Sequence, residues 1–162
     1  VSVRVGVGYD SHRFAAGKPL RLGGVTVPHT HGLAGHSDGD AAIHAVVDAL
    51  LGSAALGDIG LHFPDDDPRW KGVDSTELLL GVREALAVNL LEPAQVDVTI
   101  VCERPKLADH VDAMRETMAA ALGLPVDAVS VKAKTNEGMG WVGKGEGIAA
   151  IAVATTRALA SP

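Results

Sequence analysis

Cysteine is nearly missing from this sequence, where Cys102 stands alone. A single thiol excludes an intramolecular disulfide and a cysteine-rich zinc knuckle, and it suits a reducing cytosol. Cys102 closes an apolar, strand-like run and reads as a small buried hydrophobe. Long apolar runs are missing too. None reaches the ~18 residues of a membrane span and nothing at the amino terminus resembles a secretory signal, so a soluble, cytoplasmic protein with no membrane partner is expected. Positive charge is scarce: 14 Lys and Arg stand against 20 Asp and Glu, for a formal net charge of -6. That balance leaves no basic stripe for a nucleic-acid backbone. A phosphorylated ligand would need local cations, and metal ions are one way to place them. There is no internal repeat, low-complexity tract or linker. The 162 residues, 47% apolar, read as one domain over 1–162, large enough to fold without disulfide or metal staples.

Among the residues present, Asp10-Ser11-His12 with His44 carries the most chemistry. One carboxylate and two imidazoles suit zinc better than calcium or magnesium, and three ligands leave a coordination position open. The pair Asp10 and His12 is also readable as a turn carboxylate beside a surface histidine, and His44 as part of a solvated helix edge.

Val3–Gly8 and Leu20–Val27 alternate as strands, expected to pair as a hairpin whose loop starts with Asp10 and His12. Ile43, Val46, Val47, Leu50 and Leu51 fall at helical spacing between Asp38 and Leu56, with acidic capping at the start. Asp40, His44 and Asp48 form a polar line there, so either aspartate could orient the His44 ring. Residues 57–73, with two prolines, three glycines and Asp65-Asp66-Asp67, read as a long loop. Asp74 and Glu77 resemble a capping box for a helix to about Asn89. Gln95–Cys102 reads as a strand, and Leu107, Val111, Met114, Met118 and Leu122 as a helix closed by Gly123. Ala128–Ala133 and Ile148–Thr155 complete the pattern as strands, the last equally readable as a helix. The class expected is α/β: an α+β two-layer sandwich with a mixed sheet of about four to five strands and helices on one face. The other face needs cover, and self-association is the simplest source.

Gly8-Tyr9-Asp10-Ser11-His12, His36-Ser37-Asp38-Gly39-Asp40 with His44, Gly57-Asp58-Ile59-Gly60, Phe63-Pro64-Asp65 and Gly145-Glu146-Gly147 occur in that order. Together they make the chain resemble the 2-C-methyl-D-erythritol 2,4-cyclodiphosphate synthase family, from about Val3 to Ala158. The resemblance implies a homotrimer packed through its sheets, with active sites between adjacent subunits. The implied reaction belongs to the non-mevalonate route to isoprenoids. In it the 2-phosphate of 4-diphosphocytidyl-2-C-methyl-D-erythritol 2-phosphate attacks the β-phosphorus of the same molecule and CMP leaves. Such chemistry asks the protein mainly to fold the substrate and shield charge.

The resemblance also implies residue roles. Asp10, His12 and His44 match the ligands of one zinc ion per subunit. Glu137 matches the carboxylate that holds a second cation, Mg2+ or Mn2+, on the substrate diphosphate; by itself it reads as a turn residue. His36 and Thr135 match positions credited with stabilising the transition state, although His36 alone is an ordinary loop histidine. Ser37 matches a substrate contact. Asp58, Ile59 and Gly60, then Phe63, Pro64, Asp65, Asp66 and Asp67, match the loop around the methylerythritol unit. Cys102, Glu103, Arg104, Pro105, Lys106, Leu107 and Ala108 match the cytidine pocket, which Lys134 extends, and Thr135, Asn136 and Glu137 match substrate contacts. His29, His31, His62 and His110 match no role.

Two positions depart from the commonest family pattern. Lys144 replaces an arginine near the trimer axis, keeping charge but losing the bidentate fork, and Trp141 replaces a phenylalanine beside it. In some members this region is linked to an isoprenoid diphosphate in a central cavity. Two other readings of the chain are a zinc-dependent phosphoesterase and a non-enzymatic trimeric binding module. A linear rather than cyclic product would mark the first, and ligand binding indifferent to His44 the second.

Overall fold

A computed structural model describes residues 2–160. Its main sheet has five strands in the order β4-β1-β7-β5-β6, with ranges β1 Val3–Ala16, β4 His31–Leu33, β5 Leu91–Val101, β6 Val129–Lys134 and β7 Gly147–Ala158. All neighbours run antiparallel except β5 and β6, which are parallel. A separate two-stranded hairpin joins β2, Leu20–Leu22, to β3, Val25–Val27. The helices are α1 Ala41–Ser53, α2 Ile59–His62, α3 Ser75–Val88, α4 Val111–Leu122 and α5 Gly140–Gly143. No helix among the described residues is long and apolar enough to cross a membrane.

Helix α1 is the centre of the core. Asp40 caps it by accepting from the Ile43 N–H, and its other bonds, from the amides of Gly23 and Gly24, tie the β2–β3 turn to the helix start. Ala41–Val47 and Ala49–Leu51 are all buried, as expected of a helix enclosed by sheet on one side and other helices on the rest. Beneath it, β7 presents Ile148 and three small residues, Ala150, Ala152 and Ala154, that let α1 lie close to the sheet. That explains why the alanine-rich run is a strand: it is the sheet's middle strand, paired on both edges, and tertiary pairing overrides the helical preference of alanine.

Strand β1 corrects the expected hairpin. It pairs with β7 without interruption from Val3 opposite Arg157 to Arg13 opposite Gly147, and its end pairs with β4. Asp10 and His12 therefore lie inside a strand rather than in a loop, and Leu20–Val27 folds on itself around Gly23 and Gly24. Even-numbered residues of β1 face the helices and odd-numbered ones face away. On that bare side Val3, Val5, Val7 and Tyr9 are 56–68% exposed, joined by Ile151 and Val153 of β7. The expected uncovered sheet face is present. Residues 57–73 are mostly loop, interrupted by α2 and a 3-10 turn at Pro68–Trp70.

Candidate metal centre and active site

The inward face of β1 reads Gly6, Gly8, Asp10, His12. A Cβ on Gly6 would fall 2.0 Å from the Ala49 carbonyl oxygen, and one on Gly8 would fall 1.9 Å from that of Ala45. Only glycine lets α1 approach so closely. The helix runs against the strand, so its first turns reach the Asp10 end and bring His44 over both ligands. Asp10 Oδ2 lies 2.8 Å from His12 Nε2 and 3.0 Å from His44 Nδ1, and the two ring nitrogens are 3.1 Å apart. Among the described residues, no other group of three or more His, Cys, Asp or Glu side chains is placed to hold a metal ion. His12 Nδ1 donates to the Ala34 carbonyl at 2.6 Å, which leaves Nε2 as the ligating nitrogen. Three donor atoms with the chemistry of a divalent transition metal thus meet at one point.

The electrostatics fit. Burial pushes the Asp10 carboxyl up, but hydrogen bonds and charge from His12 and His44 outweigh it and hold its pKa down at about 2. Burial pushes the His12 ring down, and its bond to Asp10 more than reverses this, so its pKa is raised.

The triad lies in the wall of a cavity of about 280 Å3, shared with His36, Ser37, Ile59, Gly60, Phe63, Asp65 and Trp70. His36 Nε2 donates to the Asp67 carbonyl at 3.3 Å, and the His36 carbonyl accepts from the Gly72 amide at 2.8 Å, so the 57–73 loop is anchored beside the triad. Phe63 and Trp70 pack edge to face at 5.0 Å and form an apolar wall.

The profile of the YgbB family matches residues 3–157. The chain belongs to that family. It is 58% identical over 153 residues to the 2-C-methyl-D-erythritol 2,4-cyclodiphosphate synthase of Salinibacter ruber, covering 94% of this chain and 98% of that protein. Among solved structures, a 2C-methyl-D-erythritol-2,4-cyclodiphosphate synthase in a CDP-bound form superposes with a TM-score of 0.87 at 39% identity, covering 95% of this chain and 100% of that one. The bifunctional IspDF from Campylobacter jejuni gives a TM-score of 0.93 at 37% identity over 98% of this chain; the chain spans only 43% of that longer protein.

This YgbB chain carries a second cavity of about 150 Å3, walled by Cys102, Pro105, Lys106, Leu107, Ala108, Lys134 and Thr135. Ladder geometry makes the wall: the Cys102 amide donates to the Lys134 carbonyl at 2.8 Å, just past the parallel β5–β6 pair. Burial pushes the Cys102 thiol up to about 11, in keeping with a packed thiol rather than a reactive one. Glu103 turns away from this cavity, where its carboxylate accepts from the amides of Asn136 and Gly138 and braces the turn that holds Glu137. Glu137 has a φ of 53° and does not join the Asp10 cluster. Arg104 and Lys144 meet Lys106, His29 and His31 around a third, open cavity of about 460 Å3, while Trp141 is 40% exposed.

Several members of the predicted loop stand outside the cavity linings. Asp58 caps α2 by accepting from the Leu61 amide, Asp67 pairs with Arg69 and caps the 3-10 turn, and Asp66 is exposed. Neither Asp40 nor Asp48 orients His44. Asp40 is fully buried among backbone amides, and Asp48 accepts from the Ile59 amide at 2.7 Å, linking the loop to α1. The partners of His44 Nε2 are Ser37 Oγ and Ser75 Oγ, each at 3.0 Å. Ser75 and Trp70 carried no signal in the sequence, since one reads as a helix-start residue and the other as part of a polar loop.

Proposed function

We propose that this chain converts 4-diphosphocytidyl-2-C-methyl-D-erythritol 2-phosphate to 2-C-methyl-D-erythritol 2,4-cyclodiphosphate with release of CMP, as a phosphorus-oxygen lyase of the non-mevalonate isoprenoid route. The observation that carries this is the Asp10–His12–His44 cluster in the wall of the 280 Å3 cavity, within a fold shared with a CDP-bound synthase. Asp10, His12 and His44 would hold zinc and Glu137 a magnesium or manganese ion, and such cations supply Lewis acidity and positive charge for phosphate oxygens.

The protein's own groups then position and neutralise. One oxygen of the 2-phosphate bonds to the β-phosphorus as the bond from that phosphorus to the oxygen bridging to the α-phosphorus breaks, and CMP departs with the bridging oxygen. His36 and Thr135 donate to the oxygens on which charge develops. Ser37 contacts the phosphate. Ile59, Gly60, Phe63 and Asp65, with Asp58, Pro64, Asp66 and Asp67 shaping the same loop, hold the methylerythritol unit. Cys102 to Ala108, with Lys134, hold the cytidine, and Thr135, Asn136 and Glu137 also contact the substrate. The metal-side and base-side cavities are distinct on one chain. A homotrimer packed through the bare valine face, with active sites between adjacent subunits, would bring one chain's metal side to its neighbour's base side. Lys144 and Trp141 would then stand near a central cavity suited to an isoprenoid diphosphate, and the enzyme would work in the cytoplasm.

Phosphorus NMR of the purified chain with the cytidyl substrate and divalent metal tests the reaction. The expected products are a cyclic diphosphate and CMP. A linear phosphate product would establish a hydrolase instead, and unchanged substrate would remove the assignment.

A further inference from the structure

The hydrogen bonds behind His44 run in one direction. Ser75 Oγ donates to Asp38 Oδ1 at 2.5 Å, while the Ser75 amide donates to Asp38 Oδ2 at 2.8 Å and the Asp40 amide to Oδ1 at 3.0 Å. A serine has one hydroxyl proton. With that proton committed to a carboxylate, Ser75 Oγ meets His44 Nε2 as an acceptor, so Nε2 carries the ring hydrogen and Nδ1 the lone pair. Nδ1 is the nitrogen that faces Asp10 and His12. Ser37 Oγ lies equally near Nε2, but its surroundings differ. Ser75 is fully buried and outside the cavity lining, whereas Ser37 lies in that lining and has no hydrogen-bond partner besides His44 among the described residues.

We infer that Asp38 and Ser75 are positioning residues that fix the tautomer of His44 for metal binding, and that Ser37 keeps its hydroxyl for a phosphate-bearing substrate. This rests on the reading of Asp10, His12 and His44 as a metal site. Neither positioning residue touches the cavity; each acts through His44. A ring whose far nitrogen is already bonded presents the correct lone pair without reorienting, and losing such a partner weakens metal binding by roughly ten- to a hundredfold.

The test compares the full chain with Ser75→Ala, Ser75→Thr and Ser37→Ala. Three quantities are read: the zinc dissociation constant by chelator competition, the His44 tautomer by imidazole 15N shifts of the chelator-stripped protein at mildly alkaline pH, and the melting temperature of that stripped protein. Ser75→Ala should weaken zinc by roughly ten- to a hundredfold and move the His44 signals away from the Nε2–H form. Threonine should restore both, and alanine alone decides if the extra methyl prevents folding at this buried position. Ser37→Ala should keep the wild-type zinc affinity and raise KM. If Ser75→Ala lowers the melting temperature while zinc affinity and tautomer stay put, Ser75 is structural and the inference falls. A wild-type chain that takes up no zinc would overturn the metal reading itself, an outcome distinct from wild-type uptake that Ser75→Ala leaves unchanged.

Discussion

Gly8 and Ala45 touch backbone to backbone: a Cβ on the glycine would stand 1.9 Å from the alanine's carbonyl oxygen. That contact sets the distance between the strand holding Asp10 and His12 and the helix holding His44. Gly8→Ala should therefore push α1 outward, costing about 1–3 kcal/mol from overpacking and lowering zinc content together with stability. Zinc retained at full stoichiometry in a destabilised Gly8→Ala protein would show that the ligand spacing does not depend on this contact.

His44 is 8% exposed and its ring is held at both nitrogens. Replacing it by alanine should abolish stoichiometric zinc and cyclisation together while circular dichroism stays native. Elemental analysis and phosphorus NMR on the same sample are the measurements. Full activity in a zinc-free variant would remove the metal from the mechanism.

Without metal, the Asp10–His12 pair gives the fold a pH dependence of known sign. Against the opposing pull of burial, the pair's hydrogen bond holds Asp10 down from 3.8 to about 2 and raises His12 above 6.5. A carboxyl lowered on folding contributes stability above its unfolded value, lost as pH falls toward the folded one. An imidazole raised on folding contributes stability below its unfolded value, lost as pH rises through the folded one. The contribution peaks between about pH 4 and 6.5. Urea midpoints of stripped protein should show that maximum, and Asp10→Asn should flatten it; identical profiles for the two proteins would refute the coupling.

Val5 and Val7 are 65% and 68% exposed on the bare face of β1. If the proposed homotrimer packs through this face, Val5→Glu with Val7→Glu should leave monomers in sedimentation velocity and remove activity without disturbing the monomer's fold. An intact trimer would mean that the sheets do not form the interface.

Farnesyl diphosphate should raise the melting temperature of the protein if Lys144 holds an isoprenoid diphosphate in the proposed central cavity. No shift at saturating ligand would exclude that site.

The helices were the most legible part of the fold, because the helical spacing of Ile43, Val46, Leu50 and Leu51 states a buried face directly. Asp10, His12 and His44 were readable as ligands, but their place inside a strand was not. Asp and Ser are poor strand formers, and only pairing with β7 keeps them extended. The partners of His44 were illegible for a related reason. Asp40 and Asp48 are its neighbours along the helix, yet backbone amides of Gly23, Gly24, Ile43 and Ile59 claim their carboxylates first. Ser75 reaches His44 from another helix, across 31 positions of sequence.

The alternation along β1 ties assembly to chemistry. Valines occupy one side of the ribbon and metal ligands the other, one residue apart. A slip of the whole strand by one residue against β7 would exchange the two sides, turning carboxylate and imidazole outward and driving branched side chains against α1. Register in this strand is therefore constrained more tightly than composition. Substitutions can adjust either side separately, but no change of register can preserve one while sacrificing the other.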